Sequence, residues 1–475
     1  MDRCYEPVFS IAACLVFLCT SFAVAQPGIT RKRSLEVPVY KSPRDSIRFA
    51  NISALADKLE NDETADLKVR DSVRNLRDAL REQVILRYRI LYKSSEDFTP
   101  FDSLPHIRDL HQVRQVSIVN RQMKMLPSIL LRCDSLQRIE LVNCSLRKIQ
   151  KQINALSKLT SITILNNRYK RPLRLGKNDR ITSLTIHGDH ARSLPRSYHK
   201  LEALEILDLS SNVLTKFPNG AARNKKLKEL SLQHNELTLR DKLKLHPHLE
   251  KLALQNNRIE QVPEQITRFP NLTRLSLNHN RITDVAPEIS NLKKLKHLSF
   301  YNNRLTSIPT GVYELRSLNV IDLYFNQIET IDDRISNWDS LQILFISHNR
   351  LLKLPEKLTS LHLLEELYAY DNRLTSISDD INRLSRLRII YVQNNCLLRV
   401  PSTLLQLDSL EEVDLSENYM TDLPTAIFNY PRLRFISLMN NPWREDVRLF
   451  IDRKSKELEP FDITVRVSGP RYSFH

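Results

Sequence analysis

The sequence predicts an α/β solenoid: a curved parallel sheet on a concave face, a helical cap at the N-terminal end and a short cap at the C-terminal end. Three observations predict it. Between Val113 and Asn441 one block of about 23 residues is written fifteen times. Inside each block apolar residues first alternate with polar ones, which is the period of a strand with one buried face. Each block is also too short to bury its own apolar face, so the blocks must stack on one another.

Residues 318–340 and 341–363 show the block most clearly, the second repeating the first 23 residues on. Both read L-x-x-L-x-L-x-x-N-x-L followed by a second apolar half. Counting the first Leu as 1, positions 4 and 6 are buried and positions 3 to 7 form a short strand. Position 9 is Asn because the chain turns out of the strand inside the core. Its amide both donates and accepts, so it satisfies turn backbone groups that would otherwise be orphaned, at about 1–3 kcal/mol each. Positions 11, 14, 18 and 21 are apolar and return the chain across the convex side. The frequent Pro at position 15 suits an irregular or single-turn return better than a long helix.

Blocks start at Val113, Leu136, Leu159, Ile181, Leu204, Leu227, Leu249, Leu272, Leu295, Leu318, Leu341, Leu364, Leu387, Leu410 and Leu433. The spacing is 23 residues, or 22 after Leu159 and Leu227. Position 9 is Asn twelve times, from Asn167 to Asn441; Arg121, Cys144 and Asp189 are the exceptions. The early blocks are degenerate and the array is regular from Leu204 on. At about 4.8 Å per strand the sheet extends roughly 70 Å.

The block resembles the leucine-rich repeat family, and is most similar to its 23-residue class of the Ras-suppressor, erbin and scribble type. Residues 249–270, 295–317 and 341–363 are good matches. The resemblance covers about 330 residues and is specific for fold. It implies a curved solenoid that binds partners on its concave strand face, and it implies no single activity. That class is mostly cytosolic, and animal extracellular members usually carry Cys-rich caps; this chain has an export-like N-terminus and no such caps.

Residues 1–25 read as a secretory signal peptide. The apolar run Val8–Ala25 ends in Ala23-Val24-Ala25, a small-residue site that predicts cleavage before Gln26. The alternative is an uncleaved membrane anchor, since 18 residues just span a bilayer. Ile11–Cys14 looks like a lipobox, but too little apolar sequence precedes it and the run continues past it. Residues 26–44 read as a disordered basic linker around Arg31-Lys32-Arg33. Residues 45–112 read as a helical N-terminal cap, with apolar residues at Val69, Val73, Leu76, Leu80 and Val84 in helical period; a helical partner-binding module is the alternative. Residues 113–441 are the solenoid. Residues 442–475 read as a C-terminal cap: a charged amphipathic helix, a short strand, and Trp443 over the last Leu layer.

Chemistry is sparse. Only 6 Gly occur, against Gly-rich phosphate loops, and no nucleophile elbow, zinc helix motif or P-loop is present. Neither cofactor nor metal is predicted. His187-Gly188-Asp189-His190 is the one dense ligand-like cluster and reads as an ordinary turn. Three of the 6 Cys lie in the first twenty residues, leaving Cys133, Cys144 and Cys396. Three thiols make no disulfide framework, and Cys133 and Cys144 read as buried free thiols. Asn51, Asn143 and Asn271 start sequons that matter only if the host glycosylates. The ladder Arg258, Arg281, Arg304, Arg350 and Arg373 reads as a solvated edge.

Charge is uneven along a chain of net +16. Residues 101–200 hold 19 basic and 6 acidic residues, a balance of +13; residues 301–475 hold 20 and 24, a balance of −4. Arg168, Lys170, Arg171, Arg174 and Lys177 form a patch with two readings, a solvating surface or an attractor of anionic polymers or membrane surfaces. Export disfavours nucleic acid as partner, and no nucleic-acid motif occurs.

Positions 3, 5, 7 and 8 should face the concave solvent side. Most hold small or polar residues, but between Leu295 and Asn395 they hold Tyr301, Tyr324, Phe325, Phe345, Tyr368, Tyr370 and Tyr391. Cross-strand stacking that stabilises the sheet is one reading. The other is a partner site, because contiguous exposed aromatic surface marks interaction sites; Asp322, Glu366 and Asp371 alongside would favour positive charge in the partner. The sequence therefore points to a non-catalytic scaffold, secreted or periplasmic, that binds a protein or ligand on its concave face. The alternative is a cytosolic or membrane-tethered signalling scaffold anchored by residues 8–25.

Overall fold

The computed structural model describes residues 98–466, apart from 124, 145–147, 150–151, 167–173, 176, 189–190, 193–197, 199, 241 and 462. The signal peptide, the linker and residues 45–97 of the N-terminal cap lie outside the described residues.

Each of the fifteen blocks contributes one strand at its third position, from Gln115–Val119 and Arg138–Val142 through Val320–Asp322, Ile343–Phe345 and Glu366–Tyr368 to Phe435–Ser437. Thr99–Pro100 adds a strand before them and Thr464–Arg466 one after, making a single sheet of seventeen strands. Every pairing in it is parallel and in register. Ile321 faces Leu344, Leu344 faces Leu367 and Leu367 faces Ile390. Because side chains alternate, that register lines all position-4 residues on the interior and all position-5 residues on the open face.

The interior is one continuous apolar file, built mostly of Leu, Ile and Val. Leu318, Ile321, Leu323 and Ile328 of one block are at most 1% exposed, as are Leu341, Leu344, Ile346 and Leu351 of the next. Most returns among the described residues are five-residue 3-10 turns such as Glu264–Arg268, Thr310–Glu314 and Glu356–Ser360. Pro263, Pro309, Pro355 and Pro401 stand just before such a turn, where a fixed φ and a missing N–H cost nothing.

The Asn at position 9 ties two layers together. Asn326 Nδ2 donates to Phe300 O at 3.0 Å in the preceding block and to Leu323 O at 3.1 Å in its own, and Asn326 Oδ1 accepts from Leu305 N at 3.0 Å. Asn257, Asn280, Asn349 and Asn395 repeat the pattern. Cys144, in the same slot, is a partial substitute: its thiol points at Ile118 O at 3.3 Å and Val142 O at 3.4 Å. Burial pushes the Cys144 thiol up. Cys133, Cys144 and Cys396 take part in no disulfide.

Position 8 carries a second constraint. In all fifteen blocks it is left-handed, with φ between 50° and 56° in the fourteen non-Gly cases and 67° at Gly188. Asn occupies it most often, at Asn120, Asn143, Asn166, Asn256, Asn302, Asn394 and Asn440. Asn tolerates this region because its short amide hydrogen-bonds locally, whereas other L-residues lose roughly 1–2 kcal/mol there.

At the ends the described residues differ. Residues 99–112 hold the two-residue strand and 3-10 turns at Phe101–His106 and Leu110–Gln112, not an α-helix, so the sheet itself continues past Val113. At the other end the helix Glu445–Leu458 buries Val447 and Ile451, and Thr464–Arg466 pairs with Phe435–Ser437. Trp443 packs on the core and donates Nε1–H to Leu438 O at 2.9 Å. No described helix is long and apolar enough to cross a membrane.

Candidate functional site

The open face of the sheet is a grid, with strands as rows and positions 5 and 7 as columns. The rows from Leu295 to Leu364 read Ser299 and Tyr301, Asp322 and Tyr324, Phe345 and Ser347, Tyr368 and Tyr370. The parallel register therefore gathers the aromatic residues predicted as a partner site onto neighbouring strands. All seven are half-buried, because they cover one another.

Tyr301 and Tyr324 are stacked, 5.3 Å between ring centroids and 8° from parallel. Phe345 and Tyr368 stack likewise at 4.7 Å and 12°. Tyr391 meets Tyr368 edge-on at 5.4 Å. Ser347 leaves a gap in the position-7 column, and Tyr370 spans it by donating its hydroxyl to Tyr324 Oη at 3.1 Å. Tyr368 Oη donates to Glu366 Oε2 at 2.9 Å, and Tyr391 Oη donates to Glu412. Burial, then these carboxylates, push both phenols upward.

Tyr301, Asp322, Tyr324, Phe345, Ser347, Tyr368 and Tyr370 line a hollow of about 490 Å³. Asp322 Oδ2 accepts from Ser299 Oγ at 2.7 Å and Oδ1 from Tyr324 N at 3.2 Å. Burial holds the Asp322 carboxyl above the usual range despite those two bonds. No basic side chain pairs with it among the described residues. Ser347 is fully buried, and its Oγ has no hydrogen-bond partner.

Phe325 belongs to a different layer. It sits at position 8 with φ 54°, the one bulky apolar residue in that left-handed file. Its ring stacks on His348 at 4.1 Å and meets Tyr324 edge-on at 4.5 Å. His348 Nε2 lies 2.8 Å from Asp371 Oδ2, both side chains 5% exposed. Asp371 also accepts from Asn394. This corrects one expectation: Asp371 does not offer its charge to a partner, because its neighbours along position 8 consume it. Asp322 and Glu366 remain beside the rings.

Sequence reasoning passed over His348 and Ser347. The signal for His348 was the run of Asn, Asp, His and Gly at position 8, which marks left-handed backbone. Ser347 carried no signal beyond being the small residue in a column of tyrosines.

The other candidates are placed as follows. Arg168, Lys170 and Arg171 lie outside the described residues. Arg174 lies in the strand Arg174–Leu175, which pairs with Lys148–Ile149 away from the main sheet. Lys177 faces Glu202 at 3.2 Å. Arg258, Arg281, Arg304, Arg350 and Arg373 are exposed, and Arg258 pairs with Glu236 at 3.2 Å, as a solvated edge requires. His187 Nε2 lies 2.8 Å from Asp208 Oδ2, while Asp189 and His190 are outside the described residues. No cluster of His, Cys, Asp and Glu fit for a metal occurs among the described residues.

The profile described as Leucine rich repeat matches residues 179–237, 247–300, 270–328, 293–351 and 385–442. The chain belongs to the leucine-rich repeat family. Its fold is similar to that of a leucine-rich repeat protein of Leptospira interrogans, at 26% identity and TM-score 0.62, covering 77% of this chain and 99% of that one. An internalin of Listeria monocytogenes aligns at 19% identity and TM-score 0.55 over 73% of this chain and 90% of its own. The Toll–Spatzle complex of Drosophila offers a third likeness, at 19% identity and TM-score 0.54 over 78% of this chain and 59% of that one. No curated protein matches the chain.

Proposed function

We propose that this leucine-rich repeat protein is an exported, non-catalytic recognition scaffold that binds a protein partner on the aromatic stretch of its concave face. One observation carries the reading. Identical backbone rows bear small or polar residues from Leu204 to Ser276 and then a block of rings from Tyr301 to Tyr391. A repeat needs no ring at positions 5 and 7 to fold, since Ser231, Ala253 and Ser276 serve there. Stacked tyrosines are also what binding hot spots are made of: large contact area at low entropic cost. A similar fold occurs in Toll, whose structure is that of a complex with Spatzle. Export rests on the run Val8–Ala25 and its Ala23-x-Ala25 site.

Selection from a displayed random-peptide library tests the binding reading. Wild-type protein and the control Ser276→Ala should retain the same peptides, and Tyr324→Ala and Tyr368→Ala should lose them. Retention by both Tyr variants would place the partner site elsewhere. Mature protein should begin at Gln26; intact Met1–His475 in the soluble cytosol would end the export reading.

A further inference from the structure

The rings surround two polar cells of the grid. Asp322 occupies position 5 of its row, and Ser347 occupies position 7 of the next. They are diagonal neighbours on paired strands, roughly 7–8 Å apart at their backbones. Tyr301, Tyr324 and Phe345 flank the first; Phe345, Tyr368 and Tyr370 complete the wall around the second. Asp322 presents its carboxylate to the hollow, and Ser347 lies buried in the hollow's floor. Asp322 is a carboxylate short of a countercharge, and Ser347 Oγ is a buried oxygen without a partner. Guanidinium against ring is a contact this protein makes elsewhere: Arg334 lies 5.2 Å from the Tyr313 ring centroid and Arg466 5.2 Å from that of Phe435.

Building on the proposed concave-face site, we infer that this hollow receives the guanidinium of an arginine side chain from the protein partner. A cation satisfies the buried carboxylate, whose charge is costly while unpaired. Ring faces carry negative potential and attract that cation. A planar head with several fixed donors pairs with Asp322 while lying flat against a ring. An ammonium is a compact, strongly hydrated point charge that does not stack. Glu366 and Glu412, held at the rim by the Tyr368 and Tyr391 hydroxyls, extend the same negative field toward the approaching chain.

The test uses the whole protein and three capped tripeptides: Gly-Arg-Gly, its citrulline counterpart of nearly equal shape without charge, and Gly-Lys-Gly. Binding is read by saturation-transfer NMR. The arginine peptide should bind at least about tenfold more tightly than the citrulline peptide, and more tightly than the lysine peptide. Asp322→Asn should erase that preference while leaving the circular dichroism and melting curve unchanged. Asp414→Asn, in the same column but outside the hollow, should keep it. Equal binding of arginine and citrulline peptides, or a preference that survives Asp322→Asn, overturns the inference; lysine equal to arginine overturns the guanidinium assignment. Library peptides that depend on Tyr324 and Tyr368 but tolerate Asp322→Asn and arginine-to-citrulline exchange would sink this inference and leave the concave-face reading standing.

Discussion

Two stretches of the array, Leu204–Lys294 and Leu295–Asn395, share one interior and present different faces. Asn257 and Asn280 in the first donate to the same carbonyls of neighbouring layers as Asn326 and Asn349 in the second, all at 3.0 Å. Both stretches bury Leu or Ile at position 4 and an apolar residue at position 6: Leu throughout the first, and Phe300, Leu323, Ile346, Ala369 and Val392 in the second. On the open side, Ser231 and Ala253 stand at position 5, where the second stretch has Phe345 and Tyr368, and Gln233 and Gln255 at position 7, where it has Tyr324 and Tyr370. In a strand of period two the residues that hold the fold and those that meet a partner never compete for a position. The array can therefore change what it displays without changing how it stacks.

The largest expected effect comes from a departure inside the first stretch. His246 is 3% exposed and packs against Phe217 and Phe269, in the slot filled in later blocks by Phe269, Leu292, Leu315 and Trp338. Its Nε2 has no hydrogen-bond partner, and burial lowers its pKa to about 4. Between that value and the ordinary one near 6.5 the unfolded chain takes up a proton that the folded chain refuses. Stability should therefore be full above pH 6.5 and fall by up to roughly 3 kcal/mol as pH drops to about 4. Urea melts at several pH values should show that slope, and His246→Phe should flatten it. A slope unchanged by the substitution would move the acid sensitivity elsewhere.

The Asn ladder comes next. Asn280→Leu and Asn326→Leu should each cost roughly 1–3 kcal/mol by urea melt, because each leaves turn backbone unpaired in two blocks. The costs should match, since the interiors match; a difference beyond about 1 kcal/mol would mean that the rings support the ladder. On the open face, Tyr324→Ala and Tyr368→Ala should weaken partner binding by at least ~1 kcal/mol, with a smaller change in stability. If stability falls and affinity holds, stacking is what the rings are for. The smallest effect is expected next door: Gln327→Ala should stay within about 0.5 kcal/mol of wild type.

The stacking of the chain was legible because it is written in a period. Leu spacing set the strand of every block from Gln115–Val119 to Phe435–Ser437, and the Asn slot foretold bonds to turn backbone. The aromatic columns followed from counting positions. What stayed hidden depends on contacts between blocks. The Tyr370–Tyr324 hydroxyl bond needs the gap at Ser347, two strands' worth of geometry that no single block contains. Asp371 read as a free charge because its partner His348 lies 23 residues away, one strand over. Thr99–Pro100 pairs at Thr99–Val116 through a strand too short to carry a pattern. Phe325 gave no warning of its left-handed backbone, since its residue type is the one that position 8 suits least.

Beneath Tyr301, on the opposite side of its block, lies Gly311. Its φ is unremarkable, but an added Cβ would meet Pro287 O at 2.2 Å and Pro287 Cα at 2.9 Å. The returns of two adjacent blocks touch backbone to backbone there. Strand hydrogen bonds hold the open edge of every layer at about 4.8 Å, so the thickness of the return alone decides how far successive layers splay. Gly311 is thus a missing wedge: it lets the layers at 272–294 and 295–317 lie closer to parallel than a side chain would permit. The aromatic grid begins at that hinge. The bearing of its first ring relative to the polar stretch is then set from behind, by one absent methyl group on the face no partner need touch.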